Sequence, residues 1–174
     1  METVKETLAM RLRPARPSDR NMLEYWDTKP HVVWSGGEDD PFDWATELPR
    51  DVTWRQLLIA EEKGRSIGFI QIIDPRQEES HYWGDIEAGL RAIDIWIGEE
   101  SDLGRGHGTT MMRLALDRCF SEPDISAVLV DPLAKNVRAH AFYQRLGFRP
   151  VERRMFGEDD CLVHRLERRI WSRS

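Results

Sequence analysis

The 174-residue sequence is poor in cysteine, with only Cys119 and Cys161. The two lie far apart, match no CxxC or zinc spacing and are too few for a disulfide framework, so they read as packing residues in a reducing compartment. No metal site is expected. Long apolar runs are missing too, and none approaches the length of a membrane span. The opening METVKETLAM carries charge at Glu2, Lys5 and Glu6 and has no apolar core of the signal-peptide kind, which points to the cytoplasm and away from the membrane. Excess basic charge is likewise absent: 25 Lys and Arg stand against 31 Asp and Glu, a net charge of −6. That balance disfavours nucleic acid and anionic lipid as partners and suits a cationic small molecule. No internal repeat or low-complexity tract interrupts the chain, and residues 1–174 fit one domain, able to bury a substantial core. A monomer and a homodimer both remain open.

What is present is an alternation of strand and helix signals, with seven tryptophans among them. Indoles serve cores and polyhydroxylated-ligand sites alike. Met10–Arg13 alternates like a short strand, and Pro17-Ser18-Asp19 opens a helix to Trp26 with Ser18 as its N-cap. From Lys29 to Pro49 the prolines, Gly36-Gly37 and the acids Glu38, Asp39, Asp40, Asp43 and Glu47 predict loop plus a short helix, the kind of segment that carries binding surfaces. Strands are expected over Arg55–Glu61 and Ser66–Ile73, joined by a hairpin turn at Glu62-Lys63-Gly64-Arg65, and over Leu90–Ile97 after a charged loop at Pro75–Ser80. In the third of these, Leu90, Ala92, Asp94 and Trp96 face one way and Arg91, Ile93, Ile95 and Ile97 the other. A glycine loop at Gly104–Gly108 leads into a helix over Thr109–Phe120, with Met112, Ala115, Leu116 and Cys119 on one face. A buried strand at Ala127–Val130, a helix at Asn136–Leu146 stopped by Gly147, and strands at Phe148–Met155 and Cys161–Arg168 complete the chain. The order predicts an α/β (α+β) layer on a central sheet.

Chemistry concentrates in the second half. The strand Leu90–Ile97 is followed by Leu103-Gly104-Arg105-Gly106-His107-Gly108-Thr109. Alternate glycines let backbone N–H groups converge at a helix N-terminus, where the dipole favours an anion, and a diphosphate fits. Arg105 adds a cation for phosphate. The loop is too short for GxxxxGK[ST] and lacks the GxGxxG spacing, so nucleotide hydrolysis and hydride transfer lose ground. Further on, Asn136 stands at a helix start, where its amide can hydrogen-bond a ligand, and Tyr143 lies on roughly the same helical face. His140 shares that face and reads as structural or solvent-facing.

These two stretches resemble the signatures of the GNAT superfamily of acetyl-CoA-dependent N-acetyltransferases. The first is similar to [Q/R]-x-x-G-x-[G/A], with Gly106 and Gly108 as its glycines and Leu103 where the pattern has Gln or Arg. The second is similar to N-x-x-A-x-x-x-Y-x-x-x-G-F, over Asn136, Ala139, Tyr143, Gly147 and Phe148. The resemblance implies a mixed, mostly antiparallel sheet splayed between Leu90–Ile97 and Ala127–Val130, with helices on both faces. It implies acetyl-CoA in the cleft between those strands, bound by Ile95, Trp96 and Ile97, by Leu103, Gly104, Arg105, Gly106, His107, Gly108 and Thr109, and by Asn136, Ala139 and Tyr143. Tyr143 would protonate the departing thiolate during direct transfer in a ternary complex.

A narrower resemblance covers most of the chain. His31-Val32-Val33-Trp34-Ser35-Gly36-Gly37-Glu38, Gly89-Leu90-Arg91-Ala92-Ile93-Asp94, the glycine loop, and Asp131-Pro132 through Gly147-Phe148 are similar, in order and spacing, to aminoglycoside 6'-N-acetyltransferases. In that group a leucine also precedes the glycine loop. The resemblance implies an aminoglycoside as the amine acceptor, Asp94 as the catalytic-site aspartate, and Asp94 with Asp131 binding the drug's ammonium groups. Trp34 would wall the drug site and Glu158 would supply a late acidic contact, with Asp159 and Asp160 competing for that role. A polycation whose attacking amine must lose a proton asks for such carboxylates. Siderophore-type acyltransferases resemble H-x-x-I-G where this chain has Asp94-Ile95-Trp96-Ile97-Gly98. Acetylation of polyamines or protein amino termini, and a non-catalytic CoA-binding sensor, are further alternatives, the sensor disfavoured by Asp94 and Tyr143 together.

Overall fold

The computed structural model describes residues 9–38 and 41–172, so Asp39 and Asp40 of the acidic run and the charges at Glu2, Lys5 and Glu6 lie outside the described residues. Among the described residues, seven strands, β1 (Arg11–Pro14), β2 (Arg55–Glu62), β3 (Arg65–Ile73), β4 (Leu90–Ile97), β5 (Ala127–Val130), β6 (Arg149–Phe156) and β7 (Asp159–Glu167), form one sheet. Their order is β1-β2-β3-β4-β5-β7-β6. All neighbours are antiparallel except β4 and β5, which run parallel. The mixed, mostly antiparallel sheet expected from the motifs is what forms. The helices are α1 (Arg20–Trp26), α2 (Pro30–Gly36), α3 (Trp44–Glu47), α4 (His107–Phe120), α5 (Val137–Arg145) and α6 (Arg168–Trp171). None among the described residues is long and apolar enough to cross a membrane.

The alternation read from β4 sorts its side chains onto the two sheet faces. Ile93 is buried with Met111, Met112, Ala115, Leu116 and Cys119 of α4 and with Tyr143 of α5, and Ile95 and Ile97 pack against the same cluster. Leu90 and Ala92 pack on the opposite face with Trp83, Ala127 and Leu129. Trp96 shares that second face, against Phe69, Trp44, Trp26 and Leu23. Each face therefore buries its own apolar set, and α4 and α5 lie on one side while α1, α3 and the β3–β4 loop lie on the other.

Local departures from the sequence reading have local causes. The β2–β3 turn is shorter than the predicted tetrapeptide: Lys63 and Gly64 take φ of 54° and 76°, the pair of positive values that matches strand twist in a two-residue hairpin. Ser18 is exposed and is not the N-cap; Pro17–Asp19 forms a single 3₁₀ turn that starts from Arg16. The backbone N–H of Arg16 donates to the Asp19 carboxylate at 2.7 Å. Lys29–Pro49 holds two helices, because Pro30 pre-sets the first turn of α2 and Asp43 caps α3 by accepting from Thr46 N–H. The final strand stops at Glu167 and α6 follows. There the Arg168 guanidinium donates to the carbonyls of Phe120, Glu122 and Ile125, closing the C-terminal end of α4 with a cation.

Asp19 anchors the start of the chain through charge. Its carboxylate accepts two hydrogen bonds from Arg13, at 2.7 and 2.8 Å, and Arg13 also donates to Glu61 at 2.6 Å, tying the 3₁₀ turn to β1 and β2. Burial raises the Asp19 pKa, but the bonds from Arg13 and Arg16 outweigh it and the net direction is downward. The stabilisation is thus complete above the unfolded carboxylate pKa and is lost as pH falls through the lower folded value. Asp19→Asn is expected to cost about 1.5–3 kcal/mol at neutral pH, measured by urea denaturation. The gap to wild type should close on titrating below about pH 4, and a gap independent of pH would show that charge is not its source.

Candidate active site

The parallel pairing of β4 and β5 ends early. Leu90, Ala92 and the residue between them face Ala127, Val128 and Leu129, and the register goes no further. Ile93–Ile97 continue alongside β3 only, while β5 is held by β7 through Val130↔His164. A gap therefore opens between β4 and β5, and backbone groups on that edge of β4 have no strand to pair with. Such groups demand other partners. The gap is also where side chains from opposite sheet faces can meet.

On the α4 and α5 side, the glycine loop, the end of β4 and α5 converge. A side chain at Gly108 would touch Phe142 at 3.6 Å and Ile97 at 3.8 Å. Gly106 is the N-cap of α4 in a left-handed conformation, φ 82°, and no side chain caps that end, so the first-turn N–H groups remain as an anion nest. Leu103 is half-buried after the 3₁₀ turn Glu100–Asp102, whereas Gly104, Arg105 and Gly106 are exposed. Thr109 is half-buried in the first turn of α4. His107 opens α4 with its ring 3.8 Å from Glu62 and 4.0 Å from Asp102. Asp102 is buried and held by both guanidinium nitrogens of Arg65, which pins the loop's entry. Asn136 caps α5 by accepting from Ala139 N–H at 3.2 Å; the cap engages the oxygen, not the amide nitrogen. His140 Nε2 donates to the Leu133 carbonyl at 3.0 Å, and its ring lies against buried His164, a structural role.

On the other side stand Asp94, Trp96, Tyr82, Trp83 and Trp34. The Trp96 side chain is committed to an aromatic cluster, 4.5 Å from the Phe69 ring, so only its backbone borders the gap on the α4 side. Trp34 is half-exposed on α2 with the Lys135 ammonium 5.4 Å from its ring centroid. α2 bridges this side of the gap. His31, at its start, lies 2.8 Å from the Ile97 carbonyl, and beyond its end Asp159 accepts from Glu38 N–H at 2.9 Å. The close approach of Asp159 leaves no room for a side chain at Gly37, whose φ is 74°. Among the three late acids, then, Asp159 is a buried anchor, Asp160 pairs with Arg153, and Glu158 stands exposed at the β6–β7 turn.

The two sides couple electrostatically. Burial, and after it the charges of Asp94 and Asp131, push the Tyr143 phenol up, so it carries its proton at neutral pH. Tyr82 responds to the same two carboxylates after its own desolvation and is pushed in the same direction. Asp94, Asp131, Tyr82 and Tyr143 thus share one field, with each tyrosine able to donate and each aspartate able to accept. Burial pushes the Cys119 thiol up to about 12, which makes it inert as a nucleophile, and Cys161 is buried as well.

Two residues escaped the sequence reading. Tyr82 lies beside the charged loop, where only its pairing with Trp83 set it apart. Gln71 sits buried in β3 and donates from Nε2 to Asp94 Oδ2 at 2.8 Å; a lone amide in the apolar run Gly68-Phe69-Ile70-Gln71-Ile72-Ile73 was its signal.

A family model described as an acetyltransferase (GNAT) domain matches residues 16–156. Aminoglycoside N(6')-acetyltransferase type 1 of Klebsiella pneumoniae is 29% identical over 150 residues, covering 79% of this chain and 72% of the relative. A kanamycin resistance protein of Rhizobium radiobacter is 32% identical over 72 residues, 41% of this chain and 67% of that one. Among solved structures, the aminoglycoside acetyltransferase AAC(6')-Ib in complex with coenzyme A and kanamycin matches with a TM-score of 0.85 at 24% identity, over 95% of this chain and 99% of that chain.

If the loop is an anion nest, Gly106→Val is expected to weaken coenzyme A binding by at least about tenfold, since a β-branched residue resists the left-handed cap and distorts donors worth about 1.5–3 kcal/mol each to a charged group. Calorimetry on the folded variant would reveal it, and unchanged affinity would remove the loop from the site.

Proposed function

The chain belongs to the GNAT acetyltransferase family, and on that premise we propose that it transfers the acetyl group of acetyl-CoA to a primary amine of a polycationic small molecule, the 6'-amine of an aminoglycoside being the acceptor of choice. The observation that carries this reading is the shared field of Asp94, Asp131 and Tyr143 across the gap between β4 and β5. Two carboxylates on the acceptor side suit a substrate with several ammonium groups, and a protonated phenol on the cofactor side suits a leaving thiolate. Relatives of similar sequence named for aminoglycoside acetylation and kanamycin resistance support the choice of acceptor.

In this mechanism the glycine loop and the α4 N-terminus bind the diphosphate, and the backbone edge of β4 near Ile95–Ile97 pairs with the cofactor's amide arm and polarises the thioester carbonyl. Asp94 accepts the proton that the attacking amine must lose, directly or through water. The amine nitrogen bonds to the acetyl carbon, the carbon–sulfur bond breaks, and Tyr143 gives its proton to the sulfur, leaving an amide and free CoA. The phenolate then regains a proton from solvent. Holding the two reactants in line can supply roughly 7–11 kcal/mol of the barrier, so no covalent enzyme intermediate is needed. Asp131, Trp34 and the exposed Glu158 hold the acceptor without taking part in the chemistry.

Purified protein with acetyl-CoA and kanamycin, tobramycin, spermidine or lysine, followed by thiol release and product mass, is expected to turn over the aminoglycosides most efficiently. Turnover confined to spermidine or lysine would replace the acceptor assignment. Asp94→Asn should lower kcat on the order of 10²–10⁴-fold, as should Tyr143→Phe to a lesser degree within that range. Asp131→Asn should instead raise the aminoglycoside KM about tenfold or more, an effect that added salt mimics in the wild type by screening. Wild-type kinetics in both aspartate variants would leave the carboxylates without a role.

A further inference from the structure

On the acceptor face, the β3–β4 pairs are Phe69↔Trp96, Gln71↔Asp94 and Ile73↔Ala92. Asp94 is therefore flanked along the sheet by an aromatic pair on one side and an aliphatic pair on the other, and its cross-strand neighbour is the polar side chain of Gln71. Phe69, Ile73 and Ala92 are buried, as is Gln71. In such surroundings a carboxylate tends toward its neutral, protonated form unless donors hold it ionised. Among the groups within electrostatic reach of Asp94 are the Tyr82 phenol from the β3–β4 loop and the Tyr143 phenol from α5, both of which also respond to Asp131. Gln71 donates a 2.8 Å hydrogen bond to Oδ2, a bond that favours the charged form of a carboxylate, and because its amide does not titrate, the donation is independent of pH.

We infer that Gln71 is the positioning residue of the acetyl-transfer site: its amide fixes the Asp94 carboxylate by Oδ2 and keeps it in the ionised form that accepts the amine's proton. The inference rests on the proposed role of Asp94 as proton acceptor and deepens it. Gln71 itself touches neither substrate in this scheme. A residue present only to fill the sheet would be replaceable by an apolar side chain of equal size, with at most a change in stability. A residue that sets the state of Asp94 leaves a mark on its titration.

Gln71→Met keeps the length and removes the donor. The acid limb of kcat, and the titration of Asp94 followed by the ¹³C shift of its carboxyl carbon without substrate, are both expected to move up by about one pH unit. KM for acetyl-CoA should stay within about twofold, since the cofactor loops are untouched. Gln71→Glu offers a second reading. The introduced carboxyl shares one proton with Asp94 and can imitate the amide while that proton is held, so activity should fall as pH rises through the second titration of the pair, opposite in sense to the wild-type limb. In an Asp94→Asn background, Gln71→Met should add little further loss, because both changes remove one function. If Asp94→Asn abolishes turnover while Gln71→Met leaves the Asp94 titration and the kcat limb where they were, the positioning role is overturned and the base stands. If Asp94→Asn leaves kcat unchanged, the base assignment itself falls. The carbon titration needs no turnover, so it decides the point even in a variant that is inactive.

Discussion

The parting of β4 from β5 is the constraint on which the rest of this structure depends. A sheet interior normally satisfies both edges of every strand, and here β4 loses one partner after Ala92 while β5 turns its far edge to β7. The break leaves backbone groups of β4 beyond Ala92 without a strand partner on that edge, so other donors and acceptors must complete them, as His31 does for the Ile97 carbonyl. It also removes the barrier between the two faces. The helix side brings the glycine loop and Tyr143 to the gap, and the opposite side brings Asp94 and Tyr82.

Around that gap the protein arranges charge by position more than by number. The net charge of −6 is modest for a chain this size, and many of its carboxylates are already engaged: Asp19 and Glu61 by Arg13, Asp102 by Arg65, Glu47 by Arg50 and Arg55, and Asp160 by Arg153. Those pairs stitch the periphery together and do little for a substrate. The charges of Asp94 and Asp131, for their part, reach the phenols of Tyr82 and Tyr143.

The side of the gap away from α4 gains definition from contacts between parts of the chain far apart in sequence. His31 joins α2 to the end of β4, and Asp159 joins the turn after α2 to the β6–β7 hairpin. α2 is short and would be marginal in isolation; spanning the gap between two strands of the finished sheet gives it a fixed place, and with it Trp34. The same hairpin delivers Glu158 to the exposed tip, so Asp159 serves as the anchor that allows its neighbour to face outward.

Sequence alone determined what is local in origin. The alternation of β4, the amphipathic face of α4, the glycine loop with its left-handed Gly106, and the order of strands and helices follow from residue periodicity and from the conformations that glycine and proline permit. The resemblance to the family signatures singled out Asp94, Asp131 and Tyr143 as well, because these residues lie in or beside the matching motifs. What only the tertiary structure decided is which of these groups meet. Gln71 and Asp94 are neighbours solely because β3 and β4 pair in that register, Tyr82 lies against the ring of buried Trp83 in the loop after β3, and Asp159 is held by a backbone N–H at Glu38, more than a hundred residues away. A hydrogen bond across such a distance in sequence leaves no periodic trace, since it depends on the strand order and register that the whole chain adopts together.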